Sequence, residues 1–370
     1  MSIGIGVIGC GSVFAGPYRA MIETLRASGR VHVAAVYDLD DRKREVAAGL
    51  YGVDPRLGGP ESVTGHSEVD AVLVLTEMNE HGPLTQAALE AGKHVLVEKP
   101  LATSLEQAAE LVDLARRASG LLVCAPHIVL SPTFRSVHAA VGDGRIGRLL
   151  SGRGRYGWAG PWWGEWYYRP GGGSLFDLGV YNVTSLCALF GPARRVTAMV
   201  GTAIPEREVD GRMIRVNADD NAHVLLDFGE SRFAVVTTGF TMQKYRSPAI
   251  EVYGDQGTIQ LLGDDWAPEG WEVWRNDEAS WRIYPETDPQ WQWTEGLRHL
   301  VECVEDDRQT ITRPEHAYHA LEIMLAAQAA GRDGKVRPIE SPFPNIVYDG
   351  AWVEADAARR DHDRRSGVGL

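Results

Sequence analysis

Cysteine is scarce in this chain. The four residues Cys10, Cys124, Cys187 and Cys303 among 370 share no CxxC spacing, which argues against a disulfide framework and a zinc site and makes a reducing cytoplasm the expected setting. Long apolar runs are missing too. None approaches the roughly 20 residues of a membrane helix, and the first one, 3–8, runs straight into Gly9, Cys10 and Gly11 with neither the basic start nor the cleavage site of a secretory signal. Positive charge is in deficit, 37 Lys and Arg against 50 Asp and Glu for a net charge of −13, so the chain repels nucleic-acid phosphates. There is no internal repeat or low-complexity linker. What remains is 44% hydrophobic and 24% charged, a globular composition, with a length that suggests two or three domains.

Over the first 125 residues, short β-branched runs alternate with helical patterns, which is how a parallel sheet with crossover helices is written. Strands are expected over 3–8, 31–37, 71–75, 94–97 and 121–125. Helices are expected over 83–91 and 105–119, stopped by Gly92 and Gly120. After Pro126 the runs 223–228, 232–240, 249–253, 258–262 and 271–274 read as strands joined directly by Gly, Asp and Asn turns, the pattern of an antiparallel sheet. Helical periodicity covers 174–190 and 314–331, the latter with Pro314 near its start and Gly331 near its stop. The Arg- and Asp-rich tail 359–370 reads as a frayed, solvated end. The expected fold is α/β: an N-terminal Rossmann domain with a doubly wound parallel sheet over 1–125, then an α/β domain with an open, largely antiparallel sheet over 126–370.

Four motifs bear chemistry. Gly9-Cys10-Gly11-Ser12-Val13-Phe14 follows the first strand, where two glycines let backbone amides approach a pyrophosphate. The third glycine of the usual fingerprint is replaced by Phe14, and a plain glycine turn is the competing reading. Asp38 ends the second strand 27 residues after Gly11, where a carboxylate accepts hydrogen bonds from a ribose and repels a 2′-phosphate, favouring NAD over NADP. Glu98-Lys99-Pro100 puts Lys99 at the carboxyl end of the fourth strand, where open α/β sheets hold their ligands. In Gly171 to Tyr181, Asp177 and Tyr181 are four residues apart, on one face of a helix. An aspartate anchoring one hydroxyl while a tyrosine, helped by an ammonium, takes a proton is a workable arrangement for oxidising an alcohol. The plain alternatives are a solvated lysine, an aspartate drawn to a helix N-terminus and a packing tyrosine.

The aromatic stretch 156–169 holds four tryptophans within nine residues. Trp162 and Trp163 offer faces to the C–H side of a sugar, and Glu165 and Arg169 offer groups to its hydroxyls; interface packing is an equally good reading. His127, past the fifth strand, is a candidate substrate contact or a structural histidine. His316 and His319 lack partners for a metal site, and no metal is expected.

Taken together, the glycine turn, 76–81, Gly92-Lys93-His94-Val95 leading into Glu98-Lys99-Pro100, and Gly172 to Tyr181 resemble the glucose–fructose oxidoreductase, inositol dehydrogenase and rhizopine-catabolism (Gfo/Idh/MocA) family. Asp219-Asp220-Asn221 and Gly254-Asp255-Gln256-Gly257-Thr258 add to the likeness, which spans nearly the whole chain. It implies a nicotinamide cofactor, held by Gly9, Gly11, Ser12, Val13, Phe14, Asp38, Thr76, Asn79, His81, Glu98 and Lys99. It implies Lys99 between nicotinamide and substrate, Asp177 as the motif aspartate, and Tyr181 where inositol dehydrogenases carry histidine, so the chain looks more like the sugar and dihydrodiol branch. Glu77 stands where the family commonly has proline.

The expected activity is reversible oxidation of a secondary alcohol on a sugar, cyclitol or glycoside, with NAD as acceptor, Lys99, Asp177 and Tyr181 catalytic, and Lys99, His127, Trp162, Trp163, Arg169, Asp177 and Tyr181 touching substrate. A cytoplasmic homo-oligomer, dimer or tetramer, is expected, with no nucleic acid or membrane partner. Two other readings use the same residues: a glycosidase or lyase that oxidises its substrate transiently and recycles its NAD, and a cofactor-binding protein without turnover.

Overall fold

A computed structural model describes residues 2–365 except 57, 247, 286, 287, 289 and 290. The chain forms two compact units, each with its own sheet.

The first unit is built on β1 (Ile3–Ile8), β2 (Val31–Tyr37), β3 (Ala71–Val74), β4 (His94–Val97) and β5 (Leu122–Cys124), all parallel, in the order β2-β1-β3-β4-β5. All six residues of β1 are buried, as the strands of a parallel sheet covered on both faces must be. The connections carry α1 (Arg19–Ala27), α2 (Asp41–Tyr51), α3 (Glu61–Thr64), α4 (Met78–Glu90) and α5 (Leu105–Arg117). Asp40 caps α2 by accepting from the amides of Arg42 and Lys43, and Ser104 caps α5 through the amide of Gln107. The helix expected from 83 begins at Met78 and carries Pro83 inside it. The bond that Pro83 cannot donate would end on the carbonyl of Asn79, an exposed residue that water can serve.

The second unit holds a nine-stranded sheet. In chain order it contains α6 (Pro132–Gly142), β6 (Leu149–Gly157), α7 (Val180–Phe190), β7 (Arg195–Gly201), the separate hairpin β8 (Glu206–Val209) and β9 (Arg212–Arg215), β10 (Asn221–Asp227), β11 (Phe233–Gly239), β12 (Ile250–Gly254), β13 (Gly257–Asp264), β14 (Ala267–Arg275) and β15 (Ser280–Pro285). The order is β15-β14-β13-β12-β6-β11-β10-β7-β16, where β16 is Arg337–Pro338. Every pairing is antiparallel except β6 with β11, so the sheet is mixed. The sequence pattern reveals neither β6, where glycine and arginine dilute the alternation, nor β7, where the exposed Met199 interrupts it. Helices α6 and α7 cover one face. The other face stays open, with Met199, Leu225, Phe233 and Val235 exposed on the register-matched positions of β7, β10 and β11.

The chain after Trp293 is divided between the two units. By compactness the first unit is Met1–His127 together with Thr294–Pro314 and the chain from Ile346, and the second is Ile128–Trp293 with Glu315–Asn345. Helix α8 (Gly296–Glu305) packs on α1, β4 and β5, while α9 (Pro314–Asp333) lies almost wholly in the second unit. Gly331 is inside α9 rather than its stop: it faces Val200, whose Cβ lies 2.8 Å from where a glycine Cβ would be. The turn out of α9 falls at Gly334, with φ of 72°.

The expected frayed tail is instead helix α10 (Gly350–Arg365). Trp352 is buried, Arg359 pairs with Asp306 at 2.7 Å, and Arg360 reaches Asp356 and Glu295 at 2.9 Å each. Those partners lie up to 65 residues away in sequence, so composition alone reads the segment as solvated. Residues 366–370 of that tail lie outside the described residues. Among the described residues no helix is long and apolar enough to cross a membrane.

Candidate active site

In the first unit the strand order reverses direction between β1 and β3, and open α/β sheets bind ligands in the crevice outside the carboxyl ends at such a switch point. The glycine turn leaves β1 there. Gly9 has φ of +98°, and a Cβ on it would come within 2.6 Å of the Leu75 backbone, so only glycine fits. Asp38 braces the turn: its carboxylate accepts from the amide of Cys10 at 2.7 Å and that of Asp40 at 2.8 Å, leaving each oxygen a further lone pair for a ribose hydroxyl. A Cβ on Gly11 would meet nothing within 4 Å. Ser12 is exposed and Val13 half-buried, and the helix that starts here leaves its first N–H groups without intrahelical acceptors, a natural anion site.

Phe14, in place of the third glycine, is buried and opens a π-helical turn, Phe14–Tyr18, that leads into α1. The extra residue in that turn absorbs the bulky side chain, which packs edge-on to Tyr51 at 6.4 Å. Beside the turn is a cavity of about 440 Å³ lined by Cys10, Gly11, Ser12, Asp40, Arg42 and Lys43 among others. Its position at the turn, with Gly11 in its wall, fits the adenosine and pyrophosphate end of a dinucleotide. Burial, then the Asp38 charge, pushes the Cys10 thiol up to about 12, so it is no nucleophile.

At the end of β4, Glu98 is buried and accepts a hydrogen bond from the Tyr18 hydroxyl at 2.7 Å, while its other oxygen accepts from the Lys99 amide at 3.2 Å. Tyr18 thereby links the π-helical turn to the Glu98-Lys99-Pro100 corner, a tie between residues 80 positions apart that no local pattern signals. Lys99 is half-buried and its peptide bond to Pro100 is cis. His81, expected to line the cofactor pocket, is 1% exposed, with Nδ1 2.7 Å from the Pro100 carbonyl and Nε2 3.1 Å from that of Thr76. Burial lowers its pKa against the pull of those carbonyls. Neutral, the ring has one N–H, which donates to one of these two carbonyls, so His81 braces the turn on that side. Asn79 is exposed in the first turn of α4, and Glu77 is the N-cap residue of that helix.

His127 is also fully buried. Its ring nitrogens have no hydrogen-bond partner among the described residues, and burial holds it neutral with a pKa of about 3. It packs on Gly296 at the start of α8, where a Cβ would come within 2.2 Å of the ring.

In the second unit, the expected helix from 174 begins as a π-helical turn, Leu175–Gly179, before continuing as α7. Asp177 lies in that turn and Tyr181 in the first turn of α7; both are buried, at 9% and 8% exposure. The turn is capped from a distance. Asp219 accepts from the Ser174 hydroxyl and the Leu175 amide at 2.9 Å each, and from Gln328 at 3.0 Å. Gly173, with φ of +106°, leaves room for this: a Cβ there would come within 2.5 Å of an Asp219 oxygen. Burial raises the Asp219 pKa against the pull of its donors. Tyr156, the inner-face residue near the end of β6, meets the Tyr181 ring edge-on at 5.6 Å. Burial and then the nearby Asp177 carboxylate push its hydroxyl well above the ordinary range.

The aromatic stretch folds against the β8–β9 hairpin. Tyr168 is buried with Phe240, Leu178 and Val209, and Trp158 and Tyr167 pack on that cluster. Arg207 of β8 binds the cluster together, donating to the carbonyls of Ala159 at 2.6 Å and Phe240 at 2.8 Å and to the Asp220 carboxylate at 3.2 Å. Trp163 is half-buried, edge-on to Trp162, and Trp162 is 70% exposed. Arg169 pairs with Glu165 at 3.1 Å on the surface, so the two polar groups of this stretch partner each other. His319 accepts from the Ala193 amide at 3.0 Å and His316 meets the Pro344 carbonyl at 2.8 Å; among the described residues no group of three metal-type ligands is assembled.

Comparison with known proteins bears on both units. Residues 3–125 match the profile described as an oxidoreductase family with an NAD-binding Rossmann fold, and residues 134–260 match the GFO/IDH/MocA C-terminal domain. The 1,5-anhydro-D-fructose reductase of Ensifer adhaerens is 29% identical over 87% of this chain and 95% of its own. The dTDP-3,4-didehydro-2,6-dideoxy-alpha-D-glucose 3-reductase of Saccharopolyspora spinosa is 32% identical over 73% of this chain and 77% of its own. The crystal structure of levoglucosan dehydrogenase with NADH and levoglucosan shares the fold, with a TM-score of 0.81 at 19% identity over 92% of this chain and all of that one. With both of its domains matched in order along the chain, this protein belongs to the Gfo/Idh/MocA family of oxidoreductases.

Proposed function

We infer that this protein is an NAD-dependent oxidoreductase that moves a hydride between a secondary alcohol of a sugar, cyclitol or glycoside and nicotinamide. The observation that carries this reading is the match of residues 3–125 to an NAD-binding oxidoreductase domain whose glycine turn is braced by Asp38 beside an open cavity. The sugar-like substrate is supported by the reductase names of the relatives. Bound at the switch point, nicotinamide supplies the hydride acceptor or donor; the remaining work falls to this chain.

In the mechanism we propose, the Asp38 carboxylate holds the adenosine ribose and disfavours a 2′-phosphate. Lys99 places its ammonium beside the reacting oxygen and stabilises alkoxide character there. Tyr181 takes the hydroxyl proton on oxidation and returns it on reduction, and Asp177 accepts a hydrogen bond from a neighbouring hydroxyl. The neutral imidazole of His127 offers a donor and an acceptor to a bound ligand. Trp162 and Trp163 give the sugar an apolar face. We further propose a cytoplasmic homo-oligomer in which the open sheet face with Met199, Leu225, Phe233 and Val235 covers its counterpart on a second copy.

The test is absorbance at 340 nm with NAD or NADP against a panel of sugars, cyclitols and glycosides, with Lys99→Ala alongside. Net NADH formation lost in the variant supports the reading. Product formation without net NADH would replace it with a cofactor-recycling lyase, and NAD binding without any product with a non-catalytic role.

A further inference from the structure

Asp265 is completely buried in the second unit, yet it belongs to no motif and takes no part in the chemistry proposed above. It sits in the turn between β13 and β14. One of its oxygens accepts from Asn182 Nδ2 at 2.7 Å and the other from the Ser185 hydroxyl at 2.8 Å. Both donors are on α7: Asn182 directly follows Tyr181, and Ser185 is one turn further on. The adjacent Asp264 accepts from the Tyr245 hydroxyl at 2.8 Å, and Tyr156 packs on the Tyr181 ring from β6.

The chemistry of this contact is unusual for a structural one. Asp219 is held by two side-chain donors and a backbone amide, and Asp220 by two backbone amides and the Arg207 guanidinium. Among the described residues the partners of Asp265 are two neutral side-chain donors, Asn182 and Ser185, with neither cation nor backbone amide. Burial pushes its pKa up to about 6, against the pull of Ser185 and Asn182 and with the help of Asp264, so above that pH the charged form is held at a cost in stability. A well-packed apolar pair would hold a helix on a sheet at lower cost. What two short, oriented bonds add is direction: they fix the rotation and axial position of the first turns of α7.

We propose that Asp265 is a positioning residue for the oxidoreductase reaction, clamping Asn182 and Ser185 so that Tyr181 and the π-helical turn carrying Asp177 keep one orientation. The inference rests on the roles proposed above for Tyr181 and Asp177. Asp265→Asn keeps the shape, removes the charge and leaves one oxygen where two accepted. Because the charge it removes is the costly one, its unfolding midpoint at pH 8 is expected to hold or rise, whereas kcat on the alcohol found in the panel falls about tenfold, in line with the rate sensitivity of misaligned reacting groups. The Kd for NAD stays within twofold. Amide hydrogen exchange of 180–186 quickens, with 3–8 and 71–74 as unaffected references. Ser185→Ala, which deletes a single donor, quickens the same exchange and lowers kcat to a smaller extent, with a lowered midpoint because the buried carboxylate keeps its charge and loses a partner, and serves if the first variant fails to fold.

Unchanged kcat and unchanged exchange in the variant that folds would overturn the proposal. So would a lowered midpoint with kcat intact, the mark of a purely structural residue. If the wild-type protein turns over no alcohol with NAD, the oxidoreductase reading fails by itself, and the exchange rates of 180–186 still decide whether the clamp exists.

Discussion

Each unit presents its chemistry beside a π-helical turn, Phe14–Tyr18 in the first and Leu175–Gly179 in the second, and the two are held by different means. The first follows a strand end and a glycine turn braced by Asp38, 28 residues beyond Cys10, with a longer tie from Tyr18 to Glu98. The second has its Leu175 amide and Ser174 hydroxyl capped by Asp219, more than 40 residues downstream, with Gln328 behind that carboxylate and Asp265 gripping the helix beyond. A cofactor common to many reactions suits a site written in a short stretch of chain. A turn held by separate segments can change one segment at a time while the first turn stays fixed.

The largest expected effect separates chemistry from binding. Lys99→Ala should lower turnover by 10²–10⁴-fold, roughly what a lost acid–base or charge-stabilising group costs, with NAD affinity within twofold by titration of protein fluorescence. An equal loss of NAD affinity would make Lys99 part of the cofactor cradle instead. In the second unit, Asp219→Ala leaves the Ser174 hydroxyl and the Leu175 amide without their buried acceptor and should cost about 3 kcal/mol by urea unfolding. A change below 0.5 kcal/mol would show that this turn is as locally held as the first.

His127 gives a pH test of the first unit. Its folded pKa of about 3 is depressed from 6.5, so the stability tied to keeping it neutral is present above pH 6.5 and lost as pH falls toward 3. The loss should approach about 1.4 kcal/mol per pH unit between roughly pH 6 and 4. His127→Phe should flatten that part of the urea-midpoint profile; an unaltered slope would assign it to other groups. Asp38→Ala should weaken NAD by about tenfold, or 1.4 kcal/mol, and narrow its advantage over NADP, as read by Kd for both cofactors. The smallest effect is expected at the surface pair: Glu165→Gln should change stability by less than about 0.5 kcal/mol, and any larger shift in melting would mean that the aromatic stretch depends on it.

How much was legible follows the same division. The parallel sheet reads directly from β-branched runs punctuated by glycine, and the glycine turn is legible from its place straight after the first strand, while the reason Gly9 must be glycine, the approach to Leu75, is supplied by the fold. Strand β6 is hidden because glycine and arginine take the place of a clean alternation, and β7 because its outward Met199 is as apolar as its inward residues. The return of α8 and α10 to the first unit was equally hidden, because Arg359 and Arg360 look solvated until their partners Asp306, Glu295 and Asp356 are brought to them.

The sequence by itself determined the two domain types, the family and the places where Lys99, Asp177 and Tyr181 stand in their motifs, because strand periodicity, glycine sterics and motif spacing act over a few residues. Only the tertiary structure decided that His81 is a brace, that Arg169 is paired with Glu165, and that Asp219 and Asp265 hold the Asp177–Tyr181 turn. A buried polar group must find its hydrogen-bond partners wherever the fold supplies them, and that search runs across sequence distances no local pattern records.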